Sequence, residues 1–228
     1  MIIWPRWAIK TAFMYHFNHP VTMEKIQNLD NGGKMKRTNR WAGILTVLLM
    51  CMTAIAFAGD QEIAGVTFPG EKQIAGTTLK LNGVALRKAL MVIKVYAGGL
   101  YLETPTHDAR KVIESEQVKH LHLHYLTGKA TAKKLQAGFI EAMEAANPPE
   151  QVEKHRQEID RFASWLDTDM KPGSITESTY IPGKGLTLWV AGKKKGTVHD
   201  REFIQMYYRY CVGKKADKRL RKGYLGLN

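Results

Sequence analysis

The chain has 228 residues, 34 of them Lys or Arg against 21 Asp or Glu, for a formal net charge of +13. That length allows one or two domains and a real hydrophobic core. The basic balance would suit nucleic acid or an anionic membrane surface, but the lysines are scattered rather than interleaved with aromatic residues, which reads as a solvated basic surface and argues against nucleic acid.

Residues 1–34 carry Trp4, Trp7, Phe13 and Phe17 with acidic Glu24 and Asp30, a poor fit to the basic start of an export signal. They are read as an extension outside the fold, with Met35 the better start. Residues 35–58 read as a signal peptide: a basic Lys36-Arg37-Thr38-Asn39-Arg40, an uncharged apolar run from Trp41 to Phe57, and a small-residue ending at Ala56-Phe57-Ala58. Cleavage after Ala58 and a periplasmic or secreted destination are expected, which makes nucleic acid a still poorer partner. The competing reading of the same run is a membrane anchor. A lipid anchor on Cys51 is disfavoured because Met50 precedes it.

The remaining domain, residues 59–228, keeps 27 basic and 19 acidic residues, a net +8, and is not expected to span a membrane. It retains one cysteine, Cys211, which can form neither an internal disulfide nor a cysteine-based metal site.

Glu62–Phe68 and Lys72–Leu81 alternate as strands do, and Asn82-Gly83 is a strong turn dipeptide. Gly83 to Glu103 follows as one long strand, or two with a bend, broken at Pro105. Arg87 is its one arginine, and Lys94-Val95-Tyr96 leads to the small step Ala97-Gly98-Gly99. A short helix over 109–116 precedes the strand His120–Tyr125. His120, His122 and His124 share one face there, solvated or ligand-facing, and Leu121, Leu123 and Tyr125 share the other. Alternating imidazoles can chelate zinc, but no carboxylate is fixed beside them by sequence, so no metal or other cofactor is assigned.

Two helices are expected next, from Thr131 to Ala146 and over 150–167. The strands 174–181 and 185–191 follow, then a turn at Gly192–Gly196, a short return strand at Thr197-Val198, a helix from Asp200 to Val212 and a last turn over 218–225. This order is α+β: a mostly antiparallel sheet with helices on one face. No nucleophile elbow, phosphate loop or dinucleotide fingerprint is present.

Phe68-Pro69, Leu81-Asn82-Gly83 with Arg87, and Lys94-Val95-Tyr96-Ala97-Gly98-Gly99-Leu100-Tyr101-Leu102 resemble the chalcone isomerase-like family, as do Gly196-Thr197-Val198 and Val212-Gly213. The resemblance implies an open-faced β-sandwich, a large antiparallel sheet backed by helices. It also implies a comparison of sites. The plant enzymes cyclise a chalcone by phenolate addition, using an arginine, two threonines, a tyrosine and an asparagine. Arg87 matches the arginine. The other four positions fall on Tyr96 and near Thr131, Gly138 and Tyr210, and none keeps its residue. The spacing from Arg87 to Lys94 is also shorter than in those enzymes.

The family's fatty-acid-binding branch pairs an arginine with a tyrosine, as Arg87 and Tyr96 would. A guanidinium fork suits a carboxylate and a phenol adds a hydrogen bond, with Leu90, Val92, Leu100 and helix faces as apolar walls. The expected partner is a small apolar ligand bearing a carboxylate, such as a fatty acid, bound without catalysis. The alternatives are an intramolecular lyase acting on an enone, with Arg87 polarising a carbonyl and a tyrosine as acid or base, and an envelope interaction protein without a pocket. One point opposes the binding site: nine residues separate Arg87 from Tyr96, so on one regular strand they face opposite ways.

Overall fold

Three aliphatic-Ala-Gly triplets shape the sheet: Ile63-Ala64-Gly65, Ile74-Ala75-Gly76 and Val190-Ala191-Gly192. In each, the alanine and the glycine both take positive φ: 56° and 82°, 51° and 83°, 48° and 77°. Two consecutive left-handed residues make the tight turn whose twist suits a hairpin. Each triplet therefore folds the chain back on itself. The computed structural model describes residues 59–227; the expectations for 1–34 and 35–58 lie outside them.

The first triplet turns β1 (Gln61–Ile63) into β2 (Val66–Phe68), a separate two-stranded sheet. The second turns β3 (Glu71–Ile74) into β4 (Thr77–Ala89), and the third turns β8 (Gly185–Val190) into β9 (Lys193–Val198). Where the sequence suggested single strands over 62–68 and 72–81, there are hairpins. The last turn falls at Ala191-Gly192, so Lys193 to Gly196, expected as loop, are strand. Between these lie β5 (Ile93–Leu102), β6 (Lys119–Tyr125) and β7 (Ile175–Ile181). The main sheet has seven strands in the order β3-β4-β5-β6-β7-β8-β9, every neighbour antiparallel.

Asn82-Gly83 is not a turn. β4 runs straight through it, and the pairing slips there: Leu81 faces Tyr101 and Gly83 faces Leu100, leaving Asn82 as the extra residue of a bulge. Its buried side chain donates to the Tyr224 carbonyl (2.6 Å) and accepts from the Thr106 amide (2.6 Å), tying the carboxy-terminal helix to the sheet. The turn lies further on, at Leu90–Val92, so Gly83–Glu103 is a hairpin made of β4 and β5.

The helices are α1 (Ala109–Glu114), α2 (Ala132–Ala146), α3 (Pro149–Lys154), α4 (Arg156–Ser164), α5 (Arg201–Val212) and α6 (Lys218–Tyr224). The segment expected as one helix over 150–167 breaks at His155 into α3 and α4. Phe139, Met143, Ile159, Phe162, Phe203 and Met206 of the helices join Leu121, Leu186, Leu188 and Val198 of the sheet in the larger core. A smaller core on the other side gathers Phe68, Leu79, Leu81, Val84, Ala97, Tyr101 and Val118. The architecture is α+β, an open-faced β-sandwich.

The step Ala97-Gly98-Gly99 lets both cores come close. A Cβ on Gly98 would stand 2.3 Å from the Tyr224 hydroxyl, and one on Gly99 would stand 2.5 Å from the Phe68 ring. The two glycines admit an aromatic ring on opposite sides of the same strand.

Candidate functional site

Between the sheet and the helices lies a cavity of about 620 Å³. Strand alternation builds its floor: Leu121, Leu123 and Tyr125 of β6 project into it, beside Val95 and Tyr96 of β5. Helix periodicity builds its roof, with Leu135, Phe139 and Ala142 of α2 along one stripe and Tyr207 and Tyr210 from α5. Phe162 stacks on Phe139 at 5.0 Å and lines the cavity beside it. Leu90 reaches only the rim, while Leu100 is packed in the larger core and Val92 is 79% exposed. The helix faces supply walls as expected, while those expected from Leu100 and Val92 come instead from β6.

Arg87 and Tyr96 both line this cavity. The parity objection applied to a single strand. Because β4 turns into β5, Arg87 and Tyr96 are direct cross-strand partners in the register, and directly opposed residues of an antiparallel pair share a face. Beyond them the register slips once more: Lys88 faces Lys94, and Val95 is passed over. Gly138 and Tyr210, two more positions that the family comparison singled out, line the same cavity; Thr131, at the amino-terminal cap of α2, is not among its lining residues.

The guanidinium of Arg87 is already engaged: it donates to Asp217 Oδ2. Asp217 is the cap of α6, and its Oδ1 accepts from the amides of Arg219 (2.9 Å) and Leu220 (3.2 Å). One carboxylate thus holds a helix start with one oxygen and Arg87 with the other. Sequence reading missed Asp217 because it lies 130 positions from Arg87. Lys129, Lys134 and Lys215 also line the cavity, against Glu141, Glu177 and Asp217, so with Arg87 its charged lining is nearly balanced.

Burial raises the Tyr96 hydroxyl well above its ordinary range, and does the same for Tyr207 and Tyr210. Burial pushes up the Cys211 thiol as well. At neutral pH these groups are uncharged: the phenols can donate hydrogen bonds but cannot serve as bases. Tyr207 spends its hydroxyl on Ser178 Oγ at 2.7 Å.

The histidine face of β6 is enclosed at His120, which is 2% exposed, and partly open at His122 and His124, which are half-buried; Phe68 packs edge-on to His122 at 5.9 Å. Glu177 of β7, directly opposite His122 in the register, lies 2.9 Å from its Nδ1 and 3.5 Å from His120 Nε2. The two imidazoles, His120 foremost, hold the Glu177 carboxyl well below the usual carboxylate range. Two imidazoles and one carboxylate form a donor set that zinc accepts. Here the ammonium of Lys72 stands 3.1 Å from His122 Nδ1 and 3.7 Å from Glu177, supplying positive charge from within the protein. The group reads as an internal polar network under the β1–β2 hairpin.

The family model described as chalcone isomerase-like matches residues 60–226. The chain belongs to the chalcone isomerase-like family. Among solved structures, a fatty-acid binding protein of Arabidopsis thaliana is similar at 19% identity and a TM-score of 0.59, over 73% of this chain and 95% of that one. That likeness establishes a shared fold. A search of curated proteins finds no match. Among the described residues no helix is long and apolar enough to cross a membrane.

Proposed function

We propose that this domain binds a small apolar ligand bearing a carboxylate, a fatty acid being the best fit, and that it does so without catalysis. The observation that carries the reading is the cavity itself: about 620 Å³, walled by aliphatic and aromatic side chains, with Arg87 and Tyr96 side by side at one end. That volume lies within the roughly 300–1,000 Å³ of small-molecule sites. The alkyl chain occupies the space between β6 and α2, and the carboxylate meets Arg87 and the Tyr96 hydroxyl. The similar Arabidopsis structure, named as a fatty-acid binding protein, supports the same ligand class. The hollow beneath Arg87 disfavours a pocketless interaction protein. The protonated phenols disfavour a lyase that needs a base among them. Export through a signal peptide at 35–58 remains part of the proposal and would place this binding in the periplasm or outside the cell.

The test is uptake of cis-parinaric acid by delipidated protein, followed by its fluorescence, with native mass spectrometry of the protein as purified. Wild type is expected to bind one equivalent. Arg87→Ala should weaken binding about threefold to tenfold, less than the full worth of a hydrogen bond to a charged group because the ligand replaces the Asp217 ion pair at Arg87. Wild type that neither carries nor takes up a fatty acid would overturn the reading.

A further inference from the structure

The turn between β4 and β5 exposes Leu90, Met91 and Val92 at 83%, 72% and 79%. Leu90 and Met91 also hold left-handed backbone, with φ of 48° and 61°. Glycine or asparagine would occupy such a turn without strain, whereas bulky side chains are disfavoured there. Two costs therefore fall on one spot: backbone strain, and three adjacent apolar side chains in water. Directly behind the tip, Lys88 and Lys94 oppose each other in the register. Like charges so placed destabilise a hairpin; no Asp or Glu lies within the hairpin to offset them, and the Asp217 carboxylate beside it is paired with Arg87. The base of the same tip, Ala89, Leu90 and Ile93, forms part of the cavity's rim.

We propose that this tip docks the protein on an anionic lipid bilayer. Leu90, Met91 and Val92 enter the acyl boundary, Lys88 and Lys94 meet lipid phosphates, and the rim of the cavity faces the bilayer, from which the ligand is drawn. An uncompensated lysine pair behind a purely apolar tip matches an anionic interface, where buried apolar area and charge attraction add. The cargo in this statement rests on the fatty-acid reading above; the docking itself does not.

The experiment uses the full chain with Cys51→Ser and Met91→Cys, the new thiol labelled with an environment-sensitive nitrobenzoxadiazole dye; Cys211 is buried. The label reports on the tip alone, whatever the amino-terminal run does. With phosphatidylglycerol vesicles its emission should rise and shift to the blue, and with phosphatidylcholine vesicles it should barely change. Lys88→Gln with Lys94→Gln should weaken the apparent vesicle affinity roughly thirtyfold. In unlabelled protein, Met91→Ser with Val92→Ser should slow parinaric acid transfer from vesicles by about an order of magnitude, while its affinity measured against albumin as donor stays at the wild-type value. A label that ignores both vesicle types, or answers both equally, overturns the docking even if fatty acid binds. A label that responds in a protein taking no fatty acid from either donor upholds the docking and overturns the cargo.

Discussion

The two faces of the main sheet are built from the same strands and end up opposite in kind. Along β6, His120 and His122 point into a face that is filled, with Phe68, Tyr101, Lys72 and Glu177 closing around them. One residue over, Leu121, Leu123 and Tyr125 point into a face that is hollow. The hollow is local. At the start of the same row, Lys119 fills the space between α1 and α5: its ammonium donates to the Val112 carbonyl at 2.7 Å and stands 4.5 Å from the Tyr208 ring centre. Apolar lining alone does not decide where the space is. The histidine face carries polar groups and is filled; the leucine face is apolar and open. Space unfilled by the protein's own aromatic side chains marks the candidate site better than polarity does.

Matched truncations would test that contrast most severely. Leu79→Ala, on the filled face and fully buried, is expected to cost about 2–5 kcal/mol, because it leaves a void in packed surroundings. Leu123→Ala, bordering space that is already empty, should cost at the low end of that range or less. Denaturant unfolding of both variants checks this, and equal losses would mean that the hollow is no hollow.

The closed end of the row should show itself in alkali. Burial lowers the Lys119 ammonium from 10.5 to about 8. Between those values the unfolded chain holds the proton more firmly than the folded one, so stability contributed at this site rises with pH across that window. Relative to Lys119→Met, the wild type should gain on the order of 2–3 kcal/mol from pH 8 to pH 10. A constant difference between the two would place the ammonium in water.

The filled face should respond to acid instead. Burial lowers the His120 imidazole, and its neighbours depress Glu177 below the carboxylate's ordinary 4.5. In both cases the unfolded chain takes up protons first as pH falls. Stability is therefore lost below about 6.5 through His120 and further below 4.5 through Glu177. The melting temperature of wild type should fall over that range, and His120→Gln should remove the upper part of the fall.

The smallest expected effect concerns the open end. Asp217→Asn keeps a residue able to cap α6 but removes the charge that holds Arg87. Fatty-acid binding should tighten a fewfold, with stability lowered by about 1 kcal/mol or less, the worth of a surface ion pair. Unchanged affinity would mean that Asp217 does not compete for Arg87.

Much of this was legible in the residues, and the failures share one cause. The α+β order, β6, β7, β8 and α5 all follow from alternation and capping. The hairpins at Ala64-Gly65, Ala75-Gly76 and Ala191-Gly192 were hidden because alanine is a poor turn signal, so strand patterning ran through them. Asn82-Gly83, the strongest turn dipeptide in the domain, became a bulge because tertiary contacts to Tyr224 and Thr106 claim the asparagine. Whether Arg87 and Tyr96 share a cavity stayed open in the sequence, because the hairpin that brings them together could not be read from Leu90-Met91-Val92, which carries no turn residue. Asp217, Glu177 and Lys72 enter their sites from distant strands or helices, which no local pattern announces.

The grip of Asp217 on Arg87 has a consequence for selectivity. In the proposed binding mode, a ligand carboxylate arriving at Arg87 would add no ion pair; it would exchange one for another, and Asp217 would return to water with its helix-capping oxygen still bound. The head group then contributes a difference between two similar contacts, which is small and nearly independent of ionic strength. Discrimination among ligands falls to the tail: its length and branching, read by Leu121, Leu123, Leu135 and Phe139, decide what stays.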